Sequence, residues 1–159
     1  MAILINKDSK VIVLGITGKS GALQTKAMLD AGTDIVAGVT PGKGGQEVYG
    51  VPVYNFVSEA AAEHEFDTAI CFVPPFAAKD SCYEAIDAGV GLVVLTTEEM
   101  ELNDSVEIIE YAHAHGATLV GPGCAGVLAP EECKVGAHPI RFFKKGHVGV
   151  VSKSGALSY

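Results

Sequence analysis

Two glycine-rich loops hold the residues of this sequence that are best suited to chemistry. The first glycine loop, GITGKSG at residues 15–21, follows an apolar run at residues 11–14 and opens into a helix-like segment. The second glycine loop, GVTPGKGG at residues 38–45, follows the apolar residues 35–37. A glycine-rich turn at the start of a helix presents backbone N–H groups and the positive end of the helix dipole, which suit a phosphate group.

Lys43 indicates what kind of phosphate compound the loops would take. It lies in the second glycine loop, where an NAD-binding protein usually carries an acid for the ribose. A nucleotide with an additional phosphate therefore suits the two loops better than NAD. A plain surface turn with a solvated lysine is the alternative for the second loop. For the first loop the alternative is tight packing of its G-x-x-G-x-x-G glycines, with Ser20 as a helix cap and Lys19 in solvent.

The order of the elements that must position these loops predicts an α/β fold. Short runs rich in Val, Ile and Leu alternate with helix-like segments, which is typical of a Rossmann-like, doubly wound parallel sheet. The predicted strands are residues 11–14, 35–39, 68–73, 92–95 and 118–120. The predicted helices are residues 21–31, 57–63, 77–88 and 104–115, the last with Asp104 as its cap. Three of them end at glycine, at Gly32, Gly89 and Gly116.

Ligands of such sheets bind beyond the carboxyl ends of the strands, where both glycine loops are expected. Residues 73–75, 96–98 and 121–126 come after other predicted strands and belong to the same edge. We expect residues 1–126 to form the nucleotide-binding domain and residues 127–145 to connect it to a second domain. Residues 146–159 are then interpreted as the first strand, at residues 147–151, and the first loop of that second α/β domain, which is truncated.

Composition excludes several classes of protein. The chain has 159 residues, of which 48% are hydrophobic, so one packed domain is expected. Its formal net charge of −8 argues against a nucleic-acid partner. No apolar run is long enough to span a membrane and the N-terminus has no signal-peptide layout, so we expect a cytoplasmic protein with no membrane partner.

The cysteines and histidines predict no metal site. The four cysteines form no C-x-x-C pair and are expected to be reduced thiols. The five histidines, His64, His113, His115, His138 and His147, form no recognisable ligand set. Cys124, in a glycine-rich loop at a strand end, is either a reactive thiol or a small apolar filler.

Beyond these patterns, the sequence resembles the N-terminal part of the alpha subunits of succinyl-CoA synthetases (succinate–CoA ligases). The resemblance runs from residue 3 to the last residue. It rests on the segments GITGKSG, GVTPGKGG, VPVYNFVSEA, FVPPFAAKDS, EAIDAG, TTE, GPGCAG and VGVVSKSGALSY. The first two of these segments are the two glycine loops.

The resemblance implies a domain that binds coenzyme A (CoA). Its CoA contacts map onto both glycine loops and onto the loop after the fourth predicted strand. The implied residues are Thr17, Gly18, Lys19, Ser20, Lys43, Thr96, Thr97 and Glu98. The chemistry agrees, because CoA carries a pyrophosphate and a 3′-phosphate, and the loops offer N–H groups, hydroxyls and ammonium groups.

The resemblance also implies a ligase of the tricarboxylic acid cycle that converts an acid, CoA and a nucleoside triphosphate into acyl-CoA, nucleoside diphosphate and phosphate. In the family a beta subunit binds ATP or GTP with Mg, and a histidine of a second alpha-subunit domain carries the phosphoryl group. That histidine lies beyond Tyr159, so this chain is expected to hold no catalytic residue and to be inactive alone.

The border of the acid and phosphate site is implied at Gly123, Cys124, Ser154, Gly155 and Tyr159. Here the family's GPNCPG reads GPGCAG, so an asparagine is replaced by Gly123 and a proline by an alanine. The loss of a hydrogen-bonding side chain and the added room leave open which dicarboxylic acid the site takes, whether succinate, malate or a larger acid.

Two other functions compete with this interpretation. An NAD-binding oxidoreductase fragment is one, since T-G-x-x-G also occurs in short-chain dehydrogenases; however, no tyrosine of the sequence has a lysine four residues on. A non-enzymatic domain that senses CoA or a nucleotide is the other, and only the unfinished second domain argues against it.

Overall fold

The structure is a computed structural model that describes residues 3–158. Its helices are α1 (Lys19–Leu29), α2 (Val57–Glu63), α3 (Pro75–Asp87) and α4 (Leu102–Ala114). Its strands are β1 (Lys10–Leu14), β2 (Asp34–Val39), β3 (Glu47–Val48), β4 (Val51–Tyr54), β5 (Thr68–Cys71), β6 (Leu92–Leu95), β7 (Thr118–Val120), β8 (Gly126–Ala129) and β9 (Cys133–Gly136). Short 3₁₀ turns occupy Ile140–Phe142 and Ala156–Ser158.

Seven strands form one sheet in the order β3-β4-β2-β1-β5-β6-β7. All neighbours are parallel except β3 and β4, which form an antiparallel hairpin at one edge. The strands near the centre are continuous apolar runs because both faces of the sheet are covered; Val11, Ile12 and Val13 of β1 are fully buried. The predicted Rossmann-like α/β fold is confirmed.

The two faces of the sheet have separate cores. Helices α2, α3 and α4 pack on one face, where Val57, Ala85 and Ile108 are buried among strand residues. On the other face lie α1, through Met28, and the hairpin of β8 and β9, through Val135. The chain therefore leaves β1 toward one face and β5 toward the other. In doubly wound sheets the crevice between two such neighbouring strands, at their carboxyl ends, is where ligands bind.

The glycines predicted to end helices do so. Gly32, Gly89 and Gly116 come after α1, α3 and α4 with φ of +83°, +88° and +71°, a conformation that costs other residues more. The start of α4 differs from the prediction: the helix begins at Leu102, and Asp104 lies within its first turn. Its carboxylate is 2.6 Å from the Lys79 ammonium of α3, so Asp104 joins two helices instead of capping one.

The strand predicted at residues 147–151 is wrong. In the structure this segment pairs with no strand of residues 3–158, and Val148 and Val151 are 89% and 96% exposed. An isolated extended segment has no partner for its backbone N–H and C=O groups, so apolar patterning alone does not make it a strand. Two hairpins, β3–β4 and β8–β9, form where the sequence predicted no strand. In the described residues no helix has both the length and the apolar character that crossing a bilayer requires.

Candidate functional site: the loops at the carboxyl ends of β1, β2 and β6

The first glycine loop turns sharply from β1 into α1. Gly15 has φ +80°, and its carbonyl oxygen accepts a hydrogen bond from the N–H of Gly18 at 3.0 Å. Gly21 packs so tightly against this turn that a Cβ there would overlap the carbonyl oxygen of Gly15. Close backbone packing and the turn itself therefore both require glycine in this loop.

The loop leaves donors at the start of α1 exposed to a ligand. Gly18 is the N-cap, and no side chain caps the helix, so Ser20 is not the cap that the sequence suggested. Gly18, Lys19 and Ser20 are all exposed. Within residues 3–158 the Lys19 ammonium forms no ion pair. The N–H groups of a helix N-terminus and a nearby cation have the charge that suits an anion.

Thr40 joins the two glycine loops. Its hydroxyl donates to the carbonyl of Val39 at 2.8 Å and accepts, at 3.4 Å, the N–H of Thr17. The N–H of Gly15 also donates to the Val39 carbonyl, at 2.8 Å. The end of β2 is thus tied to the end of β1. The N–H of Lys43 donates to the Thr40 carbonyl at 3.0 Å, which closes a turn directly after this link.

Asn55 is a residue of the site that sequence reasoning missed. Its Oδ1 accepts hydrogen bonds from the N–H groups of Gly42, at 2.9 Å, and Gly44, at 3.0 Å. A Cβ at Gly44 would lie only 2.9 Å from the Cγ of Asn55, so only glycine lets the loop close on this side chain. Asn55 lies 11–13 residues beyond these glycines, and only the parallel pairing of β4 with β2 brings it there.

Thr96 and Thr97 tie the end of β6 to the end of β5. The Thr96 hydroxyl donates to the carbonyl of Cys71, and the Thr97 hydroxyl donates to that of Val73 at 2.8 Å. Their hydroxyl protons are therefore committed to the backbone. Thr97 is buried, so the side-chain groups that this loop can offer a ligand are the hydroxyl oxygen of the half-buried Thr96 and the exposed carboxylate of Glu98.

The loop of residues 121–126 adjoins Thr97. The N–H of Gly123 donates to the Thr97 carbonyl at 2.9 Å, and Gly123 itself is exposed. The Cys124 thiol lies 3.3 Å from the carbonyl oxygens of both Leu95 and Val120. Cys124 thus serves the packing of the loop on the strand ends.

Residues 154–155 reach the same loop. A Cβ on Gly155 would lie 3.3 Å from the Cβ of Ala125, so the two segments are in contact. The Ser154 hydroxyl accepts the N–H of Leu157 at 3.4 Å, at the start of the short 3₁₀ turn. The structure therefore brings the implied residues Gly123, Cys124, Ser154 and Gly155 into one neighbourhood. Tyr159 lies outside the described residues.

Burial raises the pKa of the Cys124 thiol, although backbone hydrogen bonds partly oppose the effect. Since the thiolate is the nucleophile, we expect iodoacetamide to alkylate Cys124 more slowly at neutral pH than it alkylates free cysteine, and faster as the pH rises. Mass spectrometry of the folded chain over a pH series measures this. Cys71, which is fully buried, is the internal control and should react only on unfolding. Alkylation of Cys124 at the rate of free cysteine at pH 7 would contradict this assignment.

Other expectations concern metals and disulfides. Among residues 3–158 no group of His, Cys, Asp and Glu is arranged to hold a metal ion. In the structure Cys71, Cys82, Cys124 and Cys133 are free cysteines, and Cys71, Cys82 and Cys133 are buried. His113 and His115 lie in the last turn of α4 and just after it, and helices of a parallel sheet end at the edge opposite to the glycine loops.

Comparison with known proteins agrees with this geometry. Residues 6–99 match the family described as "CoA binding domain". The succinate–CoA ligase [ADP-forming] subunit alpha of Staphylococcus epidermidis is 52% identical over 160 residues, covering 100% of this chain and 53% of that protein. Subunit alpha 1 of the Archaeoglobus fulgidus enzyme is 51% identical over 159 residues, covering 100% of this chain and 55% of its own length. The chain thus spans about half the length of these curated relatives.

A solved structure shares the fold. The dinucleotide-forming acetyl-coenzyme A synthetase 1 of Ca. Korarchaeum cryptofilum, in complex with phosphate and ADP, superposes with a TM-score of 0.75 at 23% identity. The match covers 95% of this chain and 33% of that one. Together with the family match over the two glycine loops, these similarities identify the chain as a member of the CoA-binding domain family, homologous along its whole length to succinate–CoA ligase alpha subunits.

Proposed function

We propose that the chain binds CoA across the carboxyl ends of β1 and β2, with the CoA phosphates on the two glycine loops. The observation that carries the proposal is the hydrogen bond between Thr17 and Thr40, which joins two loops that each present a lysine without an ion-pair partner among residues 3–158. No acid directly follows β2, so the ribose site of an NAD-binding protein is missing there.

Each loop has a distinct part in this proposal. The N–H groups of Lys19 and Ser20 in the first turn of α1, with the Lys19 ammonium and the Thr17 and Ser20 hydroxyls, take the pyrophosphate. The Lys43 ammonium takes the 3′-phosphate, since ammonium–phosphate hydrogen bonds are among the stronger ones. Thr96, Thr97 and Glu98 line the path of the remaining part of CoA toward Gly123.

We further propose that this CoA-binding domain works in an NDP-forming acid–CoA ligase. A beta subunit would bind ATP or GTP with Mg, and a dicarboxylic acid would lie near Gly123, Cys124, Ser154 and Gly155. The reaction would take acid, CoA and nucleoside triphosphate to acyl-CoA, nucleoside diphosphate and phosphate in the cytoplasm. Identity of 52% over the whole chain with a ligase alpha subunit supports this proposal.

The 159-residue chain by itself is expected not to take up phosphate from ATP. His113 and His115 lie at the sheet edge opposite to the proposed CoA site, and the ring of His64 is hydrogen-bonded to Tyr54 at 2.9 Å. Phosphoryl transfer needs donor and acceptor held together. Incubation with labelled ATP, followed by a search for acid-labile phosphate, measures this. Stoichiometric label on His113, His115 or His138 would overturn the assignment.

Asn55→Ala is expected to weaken CoA binding about fivefold to tenfold. The loss of one side-chain acceptor removes about 1 kcal/mol of the free energy that keeps the second glycine loop ordered for binding. The N–H groups of Gly42 and Gly44 lose their shared acceptor, so Lys43 is no longer held. Calorimetric titration with CoA measures the effect. Asn103→Ala, at an exposed position of α4, is the matched control and should bind like the parent chain. Equal affinities of the two variants would show that Asn55 does not organise the site.

A further inference from the structure

A cleft of about 560 Å³ lies between the outer side of α1 and residues 137–141. It is distinct from the proposed CoA site, because it adjoins the middle and the end of α1, and the glycine loop lies at the beginning of that helix. Leu23 and Pro139 contribute apolar wall. Lys134 and Arg141 contribute two cations, in a protein whose formal net charge is −8.

Lys134 is a buried cation without a counter-ion among residues 3–158. The residue is 5% exposed, and its backbone N–H and C=O are both bonded to the Thr33 hydroxyl, at 3.0 and 2.7 Å. Within the same described residues its ammonium takes part in no ion pair or hydrogen bond. Burial lowers the pKa of Lys134. A buried charge is costly unless it is paired, so an anion bound here would stabilise the charged form.

His138 presents a second unpartnered group beside Lys134. Its Nδ1 is buried and, among residues 3–158, has no hydrogen-bond partner. The Ser158 hydroxyl donates to the Gly155 carbonyl at 2.6 Å, so its oxygen accepts from His138 Nε2 at 3.4 Å. The neutral ring therefore carries its proton on Nε2, and Nδ1 is unprotonated. Burial first, and the Lys134 charge second, lower the pKa of His138.

The acid that lines the cleft does not neutralise these groups. The Asp30 carboxylate is engaged by Lys26, one turn earlier on α1, at 2.9 Å. Arg141 is exposed, and its guanidinium lies 4.7 Å from the centre of the Phe142 ring, which holds it at the rim. The cleft thus combines a positive interior with apolar walls, the arrangement that recognises an organic anion.

We propose that this cleft binds a small organic anion, whose carboxylate or phosphate group lies between Lys134 and Arg141 and whose apolar part packs against Leu23 and Pro139. His138 lines the same cleft, so a protonated ring adds a further positive charge near the bound anion. Binding should therefore tighten as the pH falls through the pKa of His138. The other charged groups that line the cleft are Lys134, Arg141 and Asp30, and Asp30 is paired with Lys26 of α1.

The test follows the His138 ring signals of the 159-residue chain by NMR. Butyrate and propyl phosphate are the probes, since they separate a carboxylate preference from a phosphate preference. We expect one of them to shift the His138 signals saturably and, for butyrate, to raise the pKa of His138. Sodium chloride at matched ionic strength is the blank. If neither probe produces a saturable shift beyond this blank, the proposal is wrong.

Lys134→Met tests the role of the buried cation, because it keeps the apolar stem and removes the charge. We expect this variant to bind the probe at least tenfold more weakly than the parent chain and to fold at least as stably. Lys144→Met, at an exposed position in the same part of the chain, should respond like the parent. Full response in Lys134→Met would overturn the proposal. Should that variant not fold, Arg141→Gln at the rim must weaken binding, and unchanged affinity there would equally overturn it.

Discussion

Gly21→Val is expected to lower the free energy of unfolding by about 3 kcal/mol and to abolish CoA binding. An added side chain in a closely packed site costs about 1–3 kcal/mol of stability, and it costs more where only backbone atoms can move to make room. A Cβ at Gly21 would overlap the Gly15 carbonyl oxygen and lie 3.1 Å from the Cα of Ile16. Both neighbours are backbone atoms of the turn that presents the phosphate donors, so relief of the overlap must distort the site. Urea unfolding measures the change in stability.

The smaller substitution Gly21→Ala makes the test sharper. In an ordinary helix, replacing an interior glycine by alanine stabilises the protein by about 1 kcal/mol. At Gly21 we expect the opposite sign. Gly91→Ala is the matched control, since a Cβ there meets only the Asp67 carbonyl oxygen, at 3.9 Å. If Gly21→Ala proves as stable as Gly91→Ala, the backbone of the first glycine loop is not packed as described.

Lys43→Met is expected to weaken CoA binding about 10-fold to 100-fold and to leave dephospho-CoA binding unchanged, since a hydrogen bond to a charged group is worth about 1.5–3 kcal/mol. Lys43 is exposed on a loop, so the fold should not suffer. Because Lys43 is exposed, salt screens its interaction with the 3′-phosphate, so the calorimetric titrations should be done at low ionic strength.

Lys7→Met is the matched control for Lys43→Met. Lys7 is exposed and precedes β1, which places it at the sheet edge opposite to the glycine loops. This control should bind both ligands like the parent chain. If Lys43→Met loses the same factor for CoA and for dephospho-CoA, the lysine contacts the pyrophosphate or shapes the loop instead of reading the 3′-phosphate.

The parallel strands β1, β2, β5, β6 and β7 could be predicted from the sequence because each belongs to a short, mostly apolar run. Burial on both faces explains this signal for β1, β5 and β6, whereas β7 is a partly exposed edge strand. The hairpin of β3 and β4 lacked such a signal. β3 has two residues, β4 contains Pro52, and the turn uses Tyr49 at φ +53° before Gly50 at φ +83°. An Asn-Gly pair is the usual sign of such a turn, and Tyr-Gly is not.

For the candidate site, sequence reasoning identified the glycine loops but not what holds them. Glycines and lysines between a strand and a helix can be recognised from the local sequence pattern alone. The Thr40 link and the Asn55 acceptor depend on which strands are neighbours, which no local pattern encodes. The hydroxyls of Thr96 and Thr97 likewise turned out to be bonded to the end of β5 and the residues after it, a consequence of the β5–β6 pairing.

Calorimetric titration of the chain with CoA, dephospho-CoA and NAD tests the central claim most directly. The two joined glycine loops, each with an exposed lysine and with no acid directly after β2, predict that CoA binds most tightly and dephospho-CoA more weakly, with NAD weakest of the three. Equal affinity for CoA and dephospho-CoA would contradict the role given to Lys43. Tighter binding of NAD than of CoA would contradict the assignment of the whole site.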